Sequence, residues 1–326
     1  MIKFHSFYSF CRYYVLREAR SALRHYFALS GKVPTGSSAK FAIFRHLTDL
    51  LRCQVADQSS PFYAFYNYCQ TDRVVRQHGH QPRRILELGP GSNVGTLFCF
   101  VAGGAERAVG VDIQPMERPP EFYRILKDYL ACVEASQWWW RPSYPCAWED
   151  IDSQTLQERV EYFAPVSAHD LPFTEGEFDL VYSNAAMEHF DRPRDVVRQI
   201  HRVLSPGGLT IHHIDLSSHG FGDGHLSHLL LGREEYDCMA QKYGDGRGID
   251  QRLQGKWKGV VYLNRLRAPD WKQLFLEAGM NVLSLDVLGK LDPATIDPLK
   301  LAEPFCNRSR EELAPEIIRV VAQKPR

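Results

Sequence analysis

From residue 83 onward the sequence alternates short apolar runs with amphipathic segments, and this alternation restricts the fold more than any other feature. The runs RILELG (84–89), RAVGVDI (107–113), APVSAHDL (164–171), FDLVYSN (178–184) and LTIHHIDL (209–216) predict five strands. Helices are predicted between them at GTLFCFVAGG (95–104) and RPRDVVRQIHRVLSPGG (192–208). A repeated strand–helix order implies a parallel sheet with right-handed crossovers.

The two ends of the chain differ from this central pattern. Residues 6–29 and 39–52 predict helices, and the segment after the fifth strand is rich in Gly and His. The helix PDWKQLFLEAGM (269–280) and the strands NVLSLDVLG (281–289) and EIIRVVAQK (316–324) are predicted to complete the sheet. The predicted domains are a helical extension over 1–80, a core over 81–216, a substrate-pocket insertion over 217–268 and a C-terminal completion of the core over 269–326.

Composition limits the class of protein. The 326 residues are 44% hydrophobic and 24% charged, which is typical of a globular chain with one large domain or two modest ones. The formal net charge is zero, so the whole chain has no general attraction to nucleic acid. Eight cysteines without a C-x-x-C pair predict reduced thiols, and no apolar stretch is long enough for a membrane span. We expect a cytoplasmic protein of unknown oligomeric state.

Two segments outside the core stand out by composition. Residues 1–52 carry nine Lys and Arg against two acidic residues. We expect an ordinary packed helix with a cationic outer face there, with contact to anionic lipid or to an acidic carrier protein as alternatives. The segment QWWWRPSYP (137–145) predicts a lid over a substrate pocket, and irregular core packing is the alternative interpretation.

The first predicted strand runs directly into a glycine turn, in the stretch ILELGPGSN (85–93). A dinucleotide-binding loop spaces its glycines as G-x-G-x-x-G, whereas here the third glycine, Gly95, falls one place late. Glu87 precedes the turn and would repel a pyrophosphate by about 4 kcal/mol per adjacent charge pair at an effective dielectric of 20. The same carboxylate favours a ligand that carries ammonium and sulfonium charges.

Four stretches together resemble the class I S-adenosylmethionine-dependent methyltransferases, and within them the small-molecule "type 11" group. They are ILELGPGSN, AVGVDI, HDLPFTEGEFDLVYSNAAMEHF and IHRVLSPGGLTI. The resemblance implies an α/β fold with a Rossmann-like, doubly wound, seven-stranded sheet, mostly parallel with an antiparallel closing strand. It also implies S-adenosylmethionine as cofactor and S-adenosylhomocysteine as product.

The resemblance also assigns the cofactor residues. It implies Glu87 near the methionine amino group, Asp112 on the ribose hydroxyls, and Ser167 or Asp170 at the adenine amino group. Asn93 stands where the family often has a glycine, and Asn tolerates positive φ. The implied cofactor-binding set is Glu87, Gly89, Gly91, Asn93, Asp112, Ile113, Ser167, Ala168, His169 and Asn184.

Candidate acceptor-side residues follow the fourth and fifth strands, because ligands bind beyond the carboxyl ends of strands in open α/β sheets. His189 and Asp215 are candidate bases, and His213 is a candidate substrate contact. Asn264, Arg265 and Arg267 are candidates for holding an acceptor carboxylate or phosphate, and a surface ion-pair segment is the alternative. The histidines around the fifth strand lack a metal-ligand spacing, so no metal site is predicted.

The sequence therefore predicts methyl transfer to an O, N or C nucleophile of a small molecule, such as a secondary-metabolite or glycan-type acceptor. A nucleic-acid substrate is disfavoured, because SNAAMEH (183–189) lacks the Asn/Asp-Pro-Pro-Tyr/Phe base-binding signature after the fourth strand. Two alternatives stay open: a non-catalytic scaffold of the same fold, and an NAD-dependent oxidoreductase.

Overall fold

The structure is a computed structural model that describes residues 61–91, 94–115, 158–219, 224–243, 262–297 and 299–326. Several predictions therefore lie outside the described residues. They are the helices at 6–29 and 39–52 with their basic face, Asn93, the tryptophan segment at 137–145, and part of the insertion at 217–268.

Seven strands and six helices are described. The strands are β1 (Arg84–Leu88), β2 (Arg107–Val111), β3 (Val160–Phe163), β4 (Phe178–Asn184), β5 (Leu204–Asp215), β6 (Asn281–Lys290) and β7 (Pro315–Gln323). The helices are α1 (Pro61–Gln77), α2 (Gly95–Ala102), α3 (Pro193–Val203), α4 (Arg233–Tyr243), α5 (Ala268–Glu277) and α6 (Arg310–Leu313). Short 3-10 helices occur at Met187–His189, Ser227–Leu229, Pro293–Thr295 and Phe305–Asn307.

The strands form one seven-stranded sheet in the order β3-β2-β1-β4-β5-β7-β6. Strand β4 pairs in parallel with β1 and β5, whereas β7 is antiparallel to both β5 and β6. The predicted fold class, a mostly parallel sheet with an antiparallel closing strand, is confirmed. Among the described residues, no helix is both long and apolar enough to cross a bilayer.

The chain divides into two compact units, of which the first contains α1, α2 and most of β2 and β3. Helix α1 packs on α2 through the Tyr68 ring, whose centroid lies 4.9 Å from that of Phe100. The Thr96 hydroxyl at the start of α2 donates to the Ala64 carbonyl at 3.2 Å. All eight residues of α2 are buried, which explains why its sequence is apolar on every side.

The second unit contains β1, β4, β5, β6 and β7 with the helices between them. Strands β1, β4 and β5 are buried without interruption over residues 85–88, 180–183 and 208–214, as expected for parallel strands covered on both faces. Helix α3 begins at Pro193 and buries Val196, Val197, Ile200 and Val203 along one stripe, while its other positions are mostly charged.

Two predicted boundaries differ from the structure. The third strand was predicted within 164–171, but β3 ends at Phe163 and the segment that follows forms turns. Pro165 has no backbone N–H to donate to a strand ladder, so the ladder cannot continue through it. The helix predicted to reach Gly208 ends at Val203, and β5 already begins at Leu204. Pro206 restricts the residue before it to an extended conformation, which favours a strand there.

Candidate active site

Glu87 is buried near the carboxyl end of β1, two residues before the glycine turn. Its side chain is in register with Tyr182 of β4, and the residue is 4% exposed. Burial raises the pKa of Glu87 to about 8; the Tyr182 hydroxyl opposes this rise and the Asp112 carboxylate adds to it. The Oε2 atom accepts no hydrogen bond. Because a buried polar atom without a partner is costly, this geometry suits a cationic ligand that completes the site.

The turn after β1 needs glycine for steric reasons. Gly89 has φ +66°, and a Cβ placed there would lie 2.9 Å from the Cβ of Ala186. Its N–H donates to the Val111 carbonyl at 2.9 Å. Gly91 also has a positive φ, of +70°. Glycine at position 89 is therefore required both by its positive φ and by its close packing against Ala186.

Asp112 and Ile113 follow β2 directly. The Asp112 N–H donates to the Phe163 carbonyl at 3.1 Å, and Asp112 Oδ1 accepts from the Gln114 N–H at 3.0 Å. Ile113 is 64% exposed, which is unusual for a large apolar side chain. A fixed carboxylate beside an exposed apolar side chain suits a ligand that combines hydroxyl groups with a flat ring.

The segment after β3 contains Ser167, Ala168 and His169. The His169 N–H donates to Ser167 Oγ at 3.3 Å, and this hydroxyl lies 3.0 Å from His169 Nδ1. His169 Nε2 lies 3.0 Å from Asp191 Oδ1, so the imidazole is held on both sides. Ala168 is buried. The adenine-edge role of these residues stays a prediction, to which the structure adds a fixed orientation of the His169 ring.

Asn184 and His213 are cross-strand partners at the carboxyl ends of β4 and β5. His213 is buried, and burial together with the nearby Arg319 guanidinium lowers its pKa to about 4. Arg319 is itself paired with Asp286 at 2.7 Å. His213 is therefore neutral near pH 7 and can donate or accept a hydrogen bond without carrying charge.

His212, next along β5, lies on the opposite face of the sheet, as strand alternation predicts. Its ring stacks on Phe275 of α5 with centroids 5.5 Å apart, and it lies 2.7 Å from the Ser183 hydroxyl and 2.5 Å from Thr210 Oγ1. Burial lowers its pKa to about 3. His212 thus belongs to the core and not to the ligand-facing side.

Four ionisable side chains meet where β4 and β5 end, and we name them the acceptor-side cluster: Glu188, His189, Asp215 and His219. Glu188 and His189 lie in the 3-10 helix Met187–His189, and Asp215 is the last residue of β5. The Nε2 atoms of His189 and His219 each lie 3.9 Å from Glu188 Oε1. His219 Nε2 also lies 3.3 Å from Asp215 Oδ2, and the two imidazole centroids are 5.0 Å apart.

The two carboxylates of the acceptor-side cluster have opposite pKa shifts. Burial raises the pKa of Glu188 well above its usual range, although the N–H groups of Glu188 and Asp215 favour the charged form. Burial also acts on Asp215, but His219 and the Ser217 donors outweigh it and hold the pKa of Asp215 below its usual range. The charged form of Asp215 is therefore favoured by its neighbours, whereas burial favours the neutral form of Glu188.

Asn264 and Arg265 have structural contacts in the segment before α5. Asn264 Nδ2 donates to the carbonyls of Met187 and Phe190 at 2.8 and 3.2 Å, which fixes the 3-10 helix of the cluster. Arg265 Nη1 donates to the Leu231 carbonyl at 2.8 Å, and its guanidinium lies 4.3 Å from the Tyr236 ring centroid. These contacts support the walls of the site; direct acceptor binding by either residue stays a prediction.

Arg267 is fully buried. Its guanidinium donates to the carbonyls of Leu216 at 2.8 Å, Leu313 at 2.7 Å and Pro315 at 2.5 Å. Burial lowers its pKa to about 10, so it stays charged at neutral pH. The predicted role of Arg267 in holding an acceptor competes with these three contacts, and we leave it out of the proposed acceptor site.

The sequence analysis missed the contact between Glu188 and His219. Neither Glu188 nor His219 was singled out as a candidate residue. A signal was present, because both residues follow strands that are adjacent in the predicted sheet. Side chains at the carboxyl ends of adjacent parallel strands are expected to converge.

A family model described as a methyltransferase domain matches residues 145–212. Two curated relatives match short stretches. A malonyl-[acyl-carrier protein] O-methyltransferase of Enterobacter lignolyticus is 31% identical over 65 residues, which cover 18% of this chain and 26% of the relative. An uncharacterized methyltransferase of Synechocystis is 46% identical over 44 residues, covering 13% of this chain and 21% of the relative. The matches thus span about a quarter of the relatives' lengths.

Solved structures show a looser likeness. A methyltransferase from Listeria monocytogenes, described as dependent on S-adenosylmethionine, is 15% identical with a TM-score of 0.41, covering 75% of this chain and 92% of the other. One from Mesorhizobium loti is 18% identical with a TM-score of 0.39, covering 74% and 90%. Likeness at these TM-scores is too weak to assign a function.

The family model covers the segment that leads through β4 to the middle of β5, and the glycine turn after β1 completes the resemblance seen in the sequence. The sheet has the mostly parallel, seven-stranded arrangement that the resemblance implies. The chain is therefore similar to methyltransferase domains over residues 145–212, and its sheet agrees with that likeness.

Proposed function

We propose that this protein transfers the methyl group of S-adenosylmethionine to an O, N or C nucleophile of a small molecule. The observation that carries the proposal is the buried Glu87 carboxyl, which has an oxygen without a hydrogen-bond partner next to the Gly89 turn. The ammonium group of the cofactor's methionine part supplies the positive charge and the donors that this oxygen lacks. A dinucleotide's phosphates would instead add negative charge beside a buried acid.

The donor side of the proposed site uses residues at the ends of β1 and β2. Glu87 anchors the ammonium group, and the Gly89 backbone allows close approach. Asp112 accepts hydrogen bonds from the ribose hydroxyls, while the exposed Ile113 side chain covers one face of the adenine. The cofactor supplies a methyl group that is already activated by the sulfonium, so alignment and exclusion of water are the main tasks of the protein.

The acceptor side uses the ends of β4 and β5. Asn184 and His213 form its floor, and the acceptor-side cluster lies beyond them. His189 and Asp215 are the groups proposed to bind or deprotonate the acceptor, since a hydroxyl or protonated amine must lose its proton before or during transfer. The Tyr262 carbonyl, 2.9 Å from His189 Nδ1, fixes the orientation of that imidazole.

Calorimetric titration of the full chain with S-adenosylhomocysteine and, separately, with NAD tests the proposal. We expect S-adenosylhomocysteine to bind with one site per chain, and NAD to produce no binding heat. Tight binding of NAD alone would favour the oxidoreductase. Absence of S-adenosylhomocysteine binding at millimolar concentration would favour a scaffold without catalytic function.

A further inference from the structure

Glu188 is the starting point, because its carboxylate is buried and no side chain donates a hydrogen bond to it. The residue is 2% exposed, and the N–H groups of Glu188 and Asp215 lie near the carboxylate without completing a hydrogen bond to Oε1 or Oε2. A buried acid of this kind is expensive unless a donor or a cation reaches it. The groups nearest to its Oε1 in the acceptor-side cluster are two imidazole nitrogens, which are donors only when protonated and are otherwise metal ligands.

The imidazole of His189 is set in one tautomer by its surroundings. Its Nδ1 lies 2.9 Å from the Tyr262 carbonyl oxygen, which can only accept a hydrogen bond. Nδ1 therefore carries the proton in the neutral ring, and Nε2 keeps its lone pair on the side of Glu188. Metal-binding histidines in proteins are commonly oriented in this way, with the second nitrogen donating to a backbone carbonyl.

The spacing of the potential ligand atoms fits a first-row transition metal. One atom each from Glu188, His189 and His219 lie within 4.8 Å of one another. Tetrahedral coordination with bonds of about 2.0–2.1 Å places neighbouring ligand atoms about 3.3 Å apart. The separations in the cluster are 3.9 Å for both Glu188–His pairs and 3.3 Å between His219 Nε2 and Asp215 Oδ2. The His219–Asp215 separation already matches this value, and each Glu188–His separation would contract by about 0.6 Å around an ion.

We propose that the acceptor-side cluster is a divalent transition-metal site, with Glu188, His189 and His219 as ligands and Asp215 as the fourth. Two imidazoles with carboxylates suit Zn²⁺, Co²⁺, Mn²⁺ or Fe²⁺, whereas Mg²⁺ prefers oxygen ligands and its own water shell. The ion would give Glu188 the positive partner that its burial demands. The site joins residues after β4 to residues after β5, which explains why no single stretch of sequence shows a ligand spacing.

The surroundings leave room for a further ligand. Glu188 and Asp215 line a cavity of about 10 Å³ together with His228, which is enough for about one water molecule. An ion with such an exchangeable position can bind an acceptor oxygen and lower its pKa. This acceptor-binding role rests on the proposed function, and in it His189 and Asp215 act as ligands of the ion and not as bases. Metal binding by the cluster does not depend on the proposed function.

Metal binding is tested on the full chain without an affinity tag, after removal of metals with EDTA and dialysis. Co²⁺ is titrated while its visible absorption is recorded, and Zn²⁺ and then Mg²⁺ are added as competitors. Three variants are compared with the wild type: Glu188→Gln, His219→Asn and His225→Asn. His219 has φ +48°, which Asn tolerates, so His219→Asn preserves the backbone. His225 is an exposed histidine paired with Glu316 and serves as the matched control.

We expect one Co²⁺ per chain, displaced by Zn²⁺ but not by Mg²⁺, with wild-type affinity in His225→Asn. Loss of an outer partner alone costs about 10–100-fold in metal affinity, so loss of a ligand in Glu188→Gln or His219→Asn should cost at least as much. Circular dichroism checks that each variant is folded. The proposal is overturned if the wild type binds no Co²⁺, or if the folded His219→Asn variant binds it as well as the wild type.

These outcomes are independent of cofactor binding. A chain that binds Co²⁺ but not S-adenosylhomocysteine keeps the metal site and loses the proposed function. A chain that binds S-adenosylhomocysteine but not Co²⁺ keeps the proposed function and loses the metal site.

Discussion

Glu87 and Glu188 are two buried glutamates at the carboxyl ends of neighbouring strands, and their surroundings differ in an instructive way. Glu87 belongs to a strand, in register with Tyr182, and has the Asp112 carboxylate nearby. Glu188 belongs to a 3-10 helix and faces two imidazoles. Burial raises the pKa of both.

The difference lies in which positive charge can reach each carboxylate. Beside Glu87 the neighbours that act on its pKa are Tyr182 and Asp112, neither of which is basic, so we expect a ligand to bring the positive charge. Beside Glu188 the chain offers imidazole nitrogens, which can hold a metal ion between themselves and the acid. We therefore propose that similar burial serves donor binding at Glu87 and acceptor chemistry at Glu188, and that the neighbouring side chains determine which role each carboxylate has.

The largest effect is expected when the two glutamates are neutralised one at a time. Glu87→Gln should weaken S-adenosylhomocysteine binding about 10–100-fold, because a hydrogen bond to a charged group contributes about 1.5–3 kcal/mol. In Glu188→Gln the affinity for S-adenosylhomocysteine should stay within about twofold of the wild-type value. Calorimetry on both variants measures the dissociation constants. An equal loss in both would show that the two carboxylates do not have separate ligands.

The pH dependence of S-adenosylhomocysteine binding gives the next largest effect. In the free protein the pKa of Glu87 is about 8, so its carboxyl is protonated at lower pH, whereas an ammonium ligand requires the ionised form. The affinity should therefore rise about tenfold per pH unit between pH 6 and 8 and then level off. Calorimetry in two buffers of different ionisation enthalpy should show about one proton released per ligand bound near pH 6. In Glu87→Gln this proton release should be absent.

A smaller effect is expected from two aspartates at strand ends, Asp112 directly after β2 and Asp215 as the last residue of β5. Asp112→Asn retains an acceptor for the Gln114 N–H but loses one ribose acceptor, which should weaken S-adenosylhomocysteine about 5–10-fold at about 1 kcal/mol per hydrogen bond. Asp215→Asn should leave this affinity unchanged. Both variants are measured by the same titration. A loss in Asp215→Asn as large as in Asp112→Asn would contradict the separation of donor and acceptor sides.

The smallest effect concerns the stability of the ligand-free chain, and here the two glutamates should behave alike. Because burial raises the pKa of each in the folded state, the folded chain keeps protons that the unfolded chain releases above about pH 4.5. Stability is then lost as the pH rises, and for Glu87 this loss extends to about pH 8. Glu87→Gln and Glu188→Gln should each raise the Tm by about 2–4 °C at pH 8. Calorimetric scans at pH 5 should show no increase in the Tm of either variant over the wild type.

Much of the sheet could be predicted from the sequence, because parallel strands buried on both faces leave unbroken apolar runs. FDLVYSN was predicted with both boundaries of β4, and the two closing strands were placed within one residue. The third strand was misplaced, since VEYF is short and half-polar whereas the following segment looked more apolar. The local apolar pattern predicts a strand poorly when few of its residues are buried.

The site was predictable in part for the same reason. Glu87, Asp112 and Asp215 lie at strand ends, which strand prediction locates directly. The contact between Glu188 and His219 depends on how the chain turns after β5, and no local pattern encodes that path. The three carbonyl contacts of Arg267 join segments that are far apart in sequence, so its guanidinium looked like a surface group.

The Arg267 contacts have a consequence for how this fold can diversify. One guanidinium ties the residue where the chain leaves β5, the end of α6 and the first residue of β7. The buried Arg267 side chain thereby links the segment that leaves the sheet after β5 to the segment that returns to it at β7. We expect that residues between Leu216 and Arg267 can be exchanged for sequences of another length without loosening the strands of the proposed donor side. A graft of a foreign acceptor segment into this chain should therefore keep Arg267 and end just before it.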